Sequence, residues 1–241
     1  MVGATGRAMI ARFLCLPLLL AAVPAAAADR VVSVGSFERV RVDGPFEVRI
    51  VTGASPGATI KGDRDLIERV AIAVNGATLT VRMGSGGWGE RFANANAAAA
   101  IITLSTPRLG NLAVAAGART TVNRMAGQQV AVAVHGAGSL TIDRIEADQF
   151  TASLLGSGAL TVAGQANRAR LSSDGTGTID AAKLAVKDLT VQLNGLGETT
   201  AMARQTAQVS TTGLGRVIIT GPAKCTVRAA AGGPVVCGTR K

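Results

Sequence analysis

VAVAVHGAGSLTI at 130–142, FTASLLGSGALTV at 150–162, ARLSSDGTGTIDA at 169–181, LTVQLNGLGETTA at 189–201 and AQVSTTGLGRVII at 207–219 are five versions of one phrase. An apolar alternation runs into Gly-x-Gly, and a second short alternation follows. The glycine pairs are Gly136 and Gly138, Gly156 and Gly158, Gly175 and Gly177, Gly195 and Gly197, and Gly213 and Gly215. Successive first glycines stand 20, 19, 20 and 18 residues apart. Strand side chains alternate between two faces, so Val130, Val132 and Val134 share one side, as do Leu140 and Ile142 after the glycines. Strand chemistry repeating at this period predicts a solenoid of stacked β coils.

The coils are Thr106–Met125, Ala126–Ile145, Glu146–Gln165, Ala166–Leu184, Ala185–Arg204 and Gln205–Pro222, with a seventh from Ala223 onward. Stacking turns Phe150, Ala152 and Leu154, or Leu189, Val191 and Leu193, into columns of one apolar interior. Thr141, Thr161, Thr190, Gln192 and Gln208 fall on the wetted face. Parallel crossovers favour the right hand, so the expected fold is an all-β, right-handed parallel β-helix of about seven coils, roughly 30 Å long. The ten glycines read as structural bends. Glycine takes φ > 0 at little steric cost, so a β-branched residue at Gly158 or Gly177 is expected to strain the bend. A phosphate-binding loop is the competing reading, but such loops occur once, between a strand and a helix. Coil one has Ala116-Gly117-Ala118 and coil seven Gly232-Gly233, the atypical ends that a capped stack requires.

Residues 1–28 read as a secretory signal peptide. Arg7 and Arg12 make its basic start, Phe13 to Val23 its apolar core and Ala26-Ala27-Ala28 its cleavage site. Phe13-Leu14 before Cys15 argues against a lipoprotein signal. No other stretch is apolar for long enough to span a bilayer, so the expected mature protein is exported, without a transmembrane segment. Loss of the two arginines lowers the formal charge from +10 to +8. Residues 29–105 are nearly balanced, whereas 106–241 carry fourteen basic and seven acidic residues. The N-terminal part, 29–105, reads as a β-rich portion continuous with the solenoid at 106–241. Phe37–Val42 and Phe46–Val51 alternate around an Asp43-Gly44-Pro45 turn, Ala58–Lys61 is a strand, and Asp63–Arg69 a short helix capped by Asp63. Asn75-Gly76 between Val70–Val74 and Ala77–Met83 is a hairpin signal. These strands are expected to cap the first coil.

Phe37-Glu38-Arg39-Val40-Arg41-Val42-Asp43-Gly44-Pro45-Phe46-Glu47-Val48, then Asn75-Gly76-Ala77-Thr78-Leu79-Thr80-Val81, then the Gly-x-Gly coils, resemble the "putative auto-transporter adhesin, head GIN domain" family. The resemblance covers nearly all of the chain after the signal. It implies an exported bacterial right-handed β-helix and brings no catalytic motif. No run of roughly ten-residue amphipathic strands follows the coils to build an outer-membrane barrel, so self-transport is not expected.

His135 is the only histidine and precedes Gly136. Alone, it makes neither a zinc site nor a nucleophile elbow, and an outward side chain at a bend is the simpler reading. Polysaccharide-processing β-helices need clustered carboxylates or a calcium site. The coil-region acids fall in no single column, and stacking aromatics are scarce at 2%. No metal, cofactor or catalytic residue is therefore expected. The remaining classes are an adhesin-like or structural binding module of the cell envelope, a basic platform for anionic polymers, and a polysaccharide-processing enzyme. Export and the lack of stacking aromatics exclude nucleic acid. The expected partner is an envelope glycan, a lipid headgroup or a protein. Arg168 and Arg170, straddling inward Ala169, are the candidate anionic-ligand contacts. Trp88, the only Trp, and Phe92 mark a candidate contact loop in the glycine- and asparagine-rich stretch 84–98.

Cys225 and Cys237 remain after signal removal, and an oxidising compartment favours their pairing. At an offset of 18, Cys225 falls on Ala207 and Cys237 on Ile219, both inward. Facing sheets stand about 10 Å apart, too far for a disulfide, but Ala229-Ala230-Ala231-Gly232-Gly233 would let the last coil flatten. A disulfide is expected there.

Overall fold

The computed structural model describes residues 28–84 and 100–238. Most of the signal-peptide stretch therefore lies outside the described residues. The strands are β1 (Ala28–Val32), β2 (Arg39–Asp43), β3 (Glu47–Thr52), β4 (Gly57–Gly62), β5 (Val70–Asn75), β6 (Thr78–Met83), β7 (Ile101–Thr106), β8 (Asn111–Ala115) and β9 (Arg119–Val122). Five long strands follow: β10 (Met125–His135), β11 (Ser139–Gly156), β12 (Ala159–Gly175), β13 (Thr178–Gly195) and β14 (Glu198–Thr211). The chain ends in β15 (Arg216–Thr220), β16 (Lys224–Ala229) and β17 (Val235–Cys237). The one helix among the described residues is α1 (Arg64–Arg69). None there is long and apolar enough to cross a membrane.

The strands form two stacked walls of a parallel β-solenoid. From the layer of β8 and β9 down to that of β16 and β17 the coils follow chain order, each in register with the next. The sequence offset translates directly into contact: Thr141 lies opposite Thr161 and Thr161 opposite Asp180. Inward columns balance volume between layers. Phe150 is stacked between Val130 and Ala169, and Leu189 between Ala169 and Ala207, so a large side chain in one layer meets a small one in the next. All of these are buried.

The N-terminal part departs from the expected arrangement. Arg39–Asp43 and Glu47–Thr52 do not pair with each other across Asp43-Gly44-Pro45. β2 lies between β6 and β8, and β3 between β7 and β9, all parallel. The two strands are opposite walls of one layer, and this layer is inserted between two that come later in the chain. Alternation alone cannot separate a hairpin from a coil corner, because both put the same parity inward. The hairpin at Asn75-Gly76 does form, with Asn75 opposite Thr78 and Gly76 at φ +57°. Antiparallel β1, β4 and β5, with α1, close this end and bury Ile67 and Val70.

The glycine corners are structural for a reason other than the one expected at Gly158 and Gly177. Only first glycines, such as Gly136 (φ +82°) and Gly175 (φ +120°), take left-handed backbone; Gly158 and Gly177 do not. What excludes a side chain at the second position is the layer above. A Cβ on Gly177 would stand 2.5 Å from the Gly158 carbonyl oxygen and 2.8 Å from Leu154 Cδ2. The closeness has a purpose. The Gly156 carbonyl accepts from both Thr176 N–H (3.0 Å) and Gly177 N–H (2.9 Å), and the Gly175 carbonyl accepts from Leu196 N–H (2.9 Å) and Gly197 N–H (3.0 Å). Each corner is thus hydrogen-bonded into the one above.

The last coil carries the disulfide. Cys225 is opposite Ala207 and Cys237 opposite Ile219, as the 18-residue offset requires, and the two are bonded with their Cα atoms 6.3 Å apart. The coil has flattened well below the usual separation of facing sheets.

Two outcomes follow for stability. Gly177→Ala is expected to lower unfolding free energy by about 1–3 kcal/mol through overpacking against backbone. Gly136→Asn should cost less, because nothing lies within 4 Å of a Cβ there and Asn tolerates a left-handed φ. Equal urea midpoints for Gly177→Ala and the parent protein would contradict the close-stacking explanation. Reducing Cys225–Cys237, which closes a separation of 12 residues, is expected to cost roughly 2–3 kcal/mol in the chain-entropy picture. Denaturant melts with and without reductant, with alkylation to confirm free thiols, measure it.

Candidate functional site

In each long strand the chain turns from one wall to the other at a corner opposite the glycines. The ladder slips there, between Ile142 and Ile145, Thr161 and Ala163, and Ala181 and Ala185. Past this corner, polar side chains recur at equivalent places in successive layers. Gln128, Asp148, Asn167 and Lys187 recur at intervals of 20, 19 and 20 residues, matching the spacing of the glycines. They occupy equivalent places, since Gly127, Ala147, Ala166 and Val186 form the register column just before them.

The result is a groove of about 610 Å³ across the layers, lined by Gly127, Gln128, Glu146, Ala147, Asp148, Gln165, Ala166, Asn167, Ala185, Lys187 and Arg204. Glycine and three alanines make its floor, and amides and charges its sides. Five layers at about 4.8 Å give it a length of roughly 19 Å. Its acids are engaged. Glu146 is bonded by Arg124 and lies 3.5 Å from Arg144 Nη1, and Asn167 Nδ2 donates to Asp148 Oδ1 (2.8 Å). Next to the groove, Thr206 Oγ1 donates to Asp188 Oδ1 (2.6 Å). Lys187 and Arg204 form no ion pair among the described residues. The groove therefore offers two unneutralised cations at one end and hydrogen-bonding amides at its centre. That combination suits an extended polymer carrying anions and hydroxyls.

Arg168 and Arg170 are both exposed on the same wall, with Ala169 buried between them. Arg168 borders the groove directly after Asn167, and its register neighbour is Asp188. Arg170 stands between Thr151 and Thr190. His135 is exposed at the glycine corner, away from the groove. Trp88 and Phe92 lie outside the described residues. Among the described residues no three of His, Cys, Asp and Glu gather closely enough to hold a metal ion. The sequence pattern alone does not single out Gln128, Asp148, Asn167 and Lys187 as a set. The signal lies in their spacing, although outward polar residues one coil apart also fit a solvated face.

The family model described as "Putative auto-transporter adhesin, head GIN domain" matches residues 36–223. The fold is similar to that of a putative adhesin from Bacteroides fragilis, with TM-score 0.78 and 17% identity over 89% of this chain and 97% of that one. It is also similar to a putative lipid binding protein from Parabacteroides distasonis (TM-score 0.69, 16% identity, 90% and 98% covered). A putative adhesin from Parabacteroides merdae compares at TM-score 0.68 and 18% identity, with 90% and 98% covered. No curated protein matches the chain at a significant level.

Proposed function

The chain belongs to the "putative auto-transporter adhesin, head GIN domain" family, and from that membership we propose that it is an exported, non-enzymatic, adhesin-like binding module of the bacterial cell envelope. Its contact surface is the layered groove, and its ligand an extended anionic polymer such as an acidic envelope glycan. One observation carries this reading: the groove repeats polar side chains at the rise of the coils and ends in Lys187 and Arg204, which form no ion pair among the described residues. A polymer lying along the solenoid axis meets a donor in four of the five layers, at Gln128, Asn167, Lys187 and Arg204, and carboxylate acceptors in the layer of Glu146 and Asp148. Arg168, at the groove edge, and Arg170 beside it add charge on the same side. The signal-peptide reading of residues 1–28 supports export, to the periplasm, the medium or the cell surface.

The binding module is tested by titrating polygalacturonate into the full mature chain at two salt concentrations. The parent protein is expected to bind, with affinity falling as salt rises. Replacing both groove cations, Lys187→Glu with Arg204→Glu, should weaken binding at least tenfold and flatten its salt dependence; Arg168→Glu with Arg170→Glu should have a smaller effect in the same direction. Unchanged affinity in the Lys187 and Arg204 double variant would remove the groove from the reading. Release of new reducing ends from the polymer would overturn the non-enzymatic part.

A further inference from the structure

The two ends of the solenoid are finished differently. Beyond the N-terminal layers lie β1, β4, β5 and α1, whereas β16 and β17 are the outermost strands at the other end. Core positions of that last coil are left half covered: Val227, directly below buried Val209, is 43% exposed. The outer surface just above is apolar as well. Leu196 and Leu214 project from successive glycine corners at 65% and 63% exposure, and Val236 is 57% exposed on the adjoining wall. The last coil runs directly beneath the second of these corners. Gly233 sits beneath the Gly213–Gly215 corner, and the Pro234 carbonyl accepts the Val217 N–H (3.0 Å). A depression of about 620 Å³ lies there, with Ile218, Pro234 and Val236 on its apolar side and Arg216 on its rim.

Charge at this end is of one sign. From Thr199 to Lys241 the sequence has six basic residues and no acidic one. Arg216, Lys224 and Arg228 are exposed on the last two layers and form no ion pair among the described residues. Glu198, the register neighbour of Arg216, is the first acid above them.

We propose that this C-terminal tip docks the solenoid onto an anionic lipid surface, with Leu196, Leu214 and Val236 meeting the acyl boundary and Arg216, Lys224 and Arg228 the headgroup phosphates. Exposed aliphatic side chains sharing one end of the rod with cations that form no ion pair among the described residues fit a surface that is apolar just beneath an anionic layer. A hydrated acidic polymer would satisfy the cations and leave the leucines in water. A second copy would cover the leucines but bring its own cations against these. Docking through the tip leaves the groove, on the side of the rod, free for its polymer. The proposal does not depend on the groove reading.

Co-sedimentation of the full mature chain with vesicles tests it. Binding is expected to vesicles of phosphatidylglycerol and phosphatidylethanolamine and to be at least tenfold weaker to phosphatidylcholine alone. Leu214→Glu with Val236→Glu should abolish vesicle binding while polygalacturonate affinity is retained; Lys187→Glu with Arg204→Glu should do the reverse. A milder pair, Arg216→Gln with Arg228→Gln, should weaken vesicle binding and reduce its salt dependence, and thermal melts of each variant verify folding. Equal binding to both vesicle types, or vesicle binding unchanged in the folded Leu214 and Val236 variant, overturns the proposal. So does a parent protein that sediments as a dimer, becomes monomeric in that variant and never binds vesicles.

Discussion

At the stacked Gly-x-Gly corners one backbone must come within hydrogen-bonding reach of the next, and the rest of the molecule depends on that contact. At Gly177 the layer above leaves 2.5 Å between a hypothetical Cβ and the Gly158 carbonyl oxygen. The amide of the same residue uses that closeness to reach the Gly156 carbonyl. A corner that turned equally sharply but stood further off would lose these bonds and leave buried backbone groups unpaired. Because the corner fixes height and register together, every residue of a coil inherits a defined neighbour. Val132 meets Ala152, Leu171 follows, and Val191 and Val209 continue the column.

The same register orders the outside. A polar residue at a fixed distance from the glycines becomes one step of a ladder along the axis, as Gln128, Asp148, Asn167 and Lys187 do. The chemistry of the ladder can then vary from layer to layer without disturbing the fold, since the packing is decided on the other face of the strand. That freedom leaves Glu146 paired with arginines toward one end of the groove and, at the other, Lys187 and Arg204 with no ion pair among the described residues. It also leaves the leucines at 196 and 214 in the middle of a Gly-x-Gly, where no core position demands them.

Much of the fold was legible because a period is a long-range statement. Five Gly-x-Gly motifs at almost constant spacing predict both the local bend and which distant residues touch, and the offset of 18 placed Cys225 and Cys237 correctly on Ala207 and Ile219. The N-terminal layers lack that redundancy. Val40 and Val42 face inward in a hairpin or in a coil alike, so nothing in residues 37–51 announces that β2 and β3 slot between β6–β7 and β8–β9. The role of Gly158 and Gly177 was visible as glycine but its cause was not, because closeness to another layer is a property of the stack and not of the residue's own dihedral angles. The groove was hidden differently. Its residues share no chemistry, only a position, whereas Arg168 and Arg170 stand out by charge, and of these Arg168 follows the groove residue Asn167.

A groove built from layers should count them. Affinity for oligogalacturonides graded in length, measured by calorimetry on the mature chain, is expected to rise with each added sugar until the oligomer spans roughly the 19 Å of the five layers, and then to level off. Affinity that depends on total charge alone and keeps rising well beyond that length, or that is already complete in a disaccharide, would contradict a binding surface laid out along the coils.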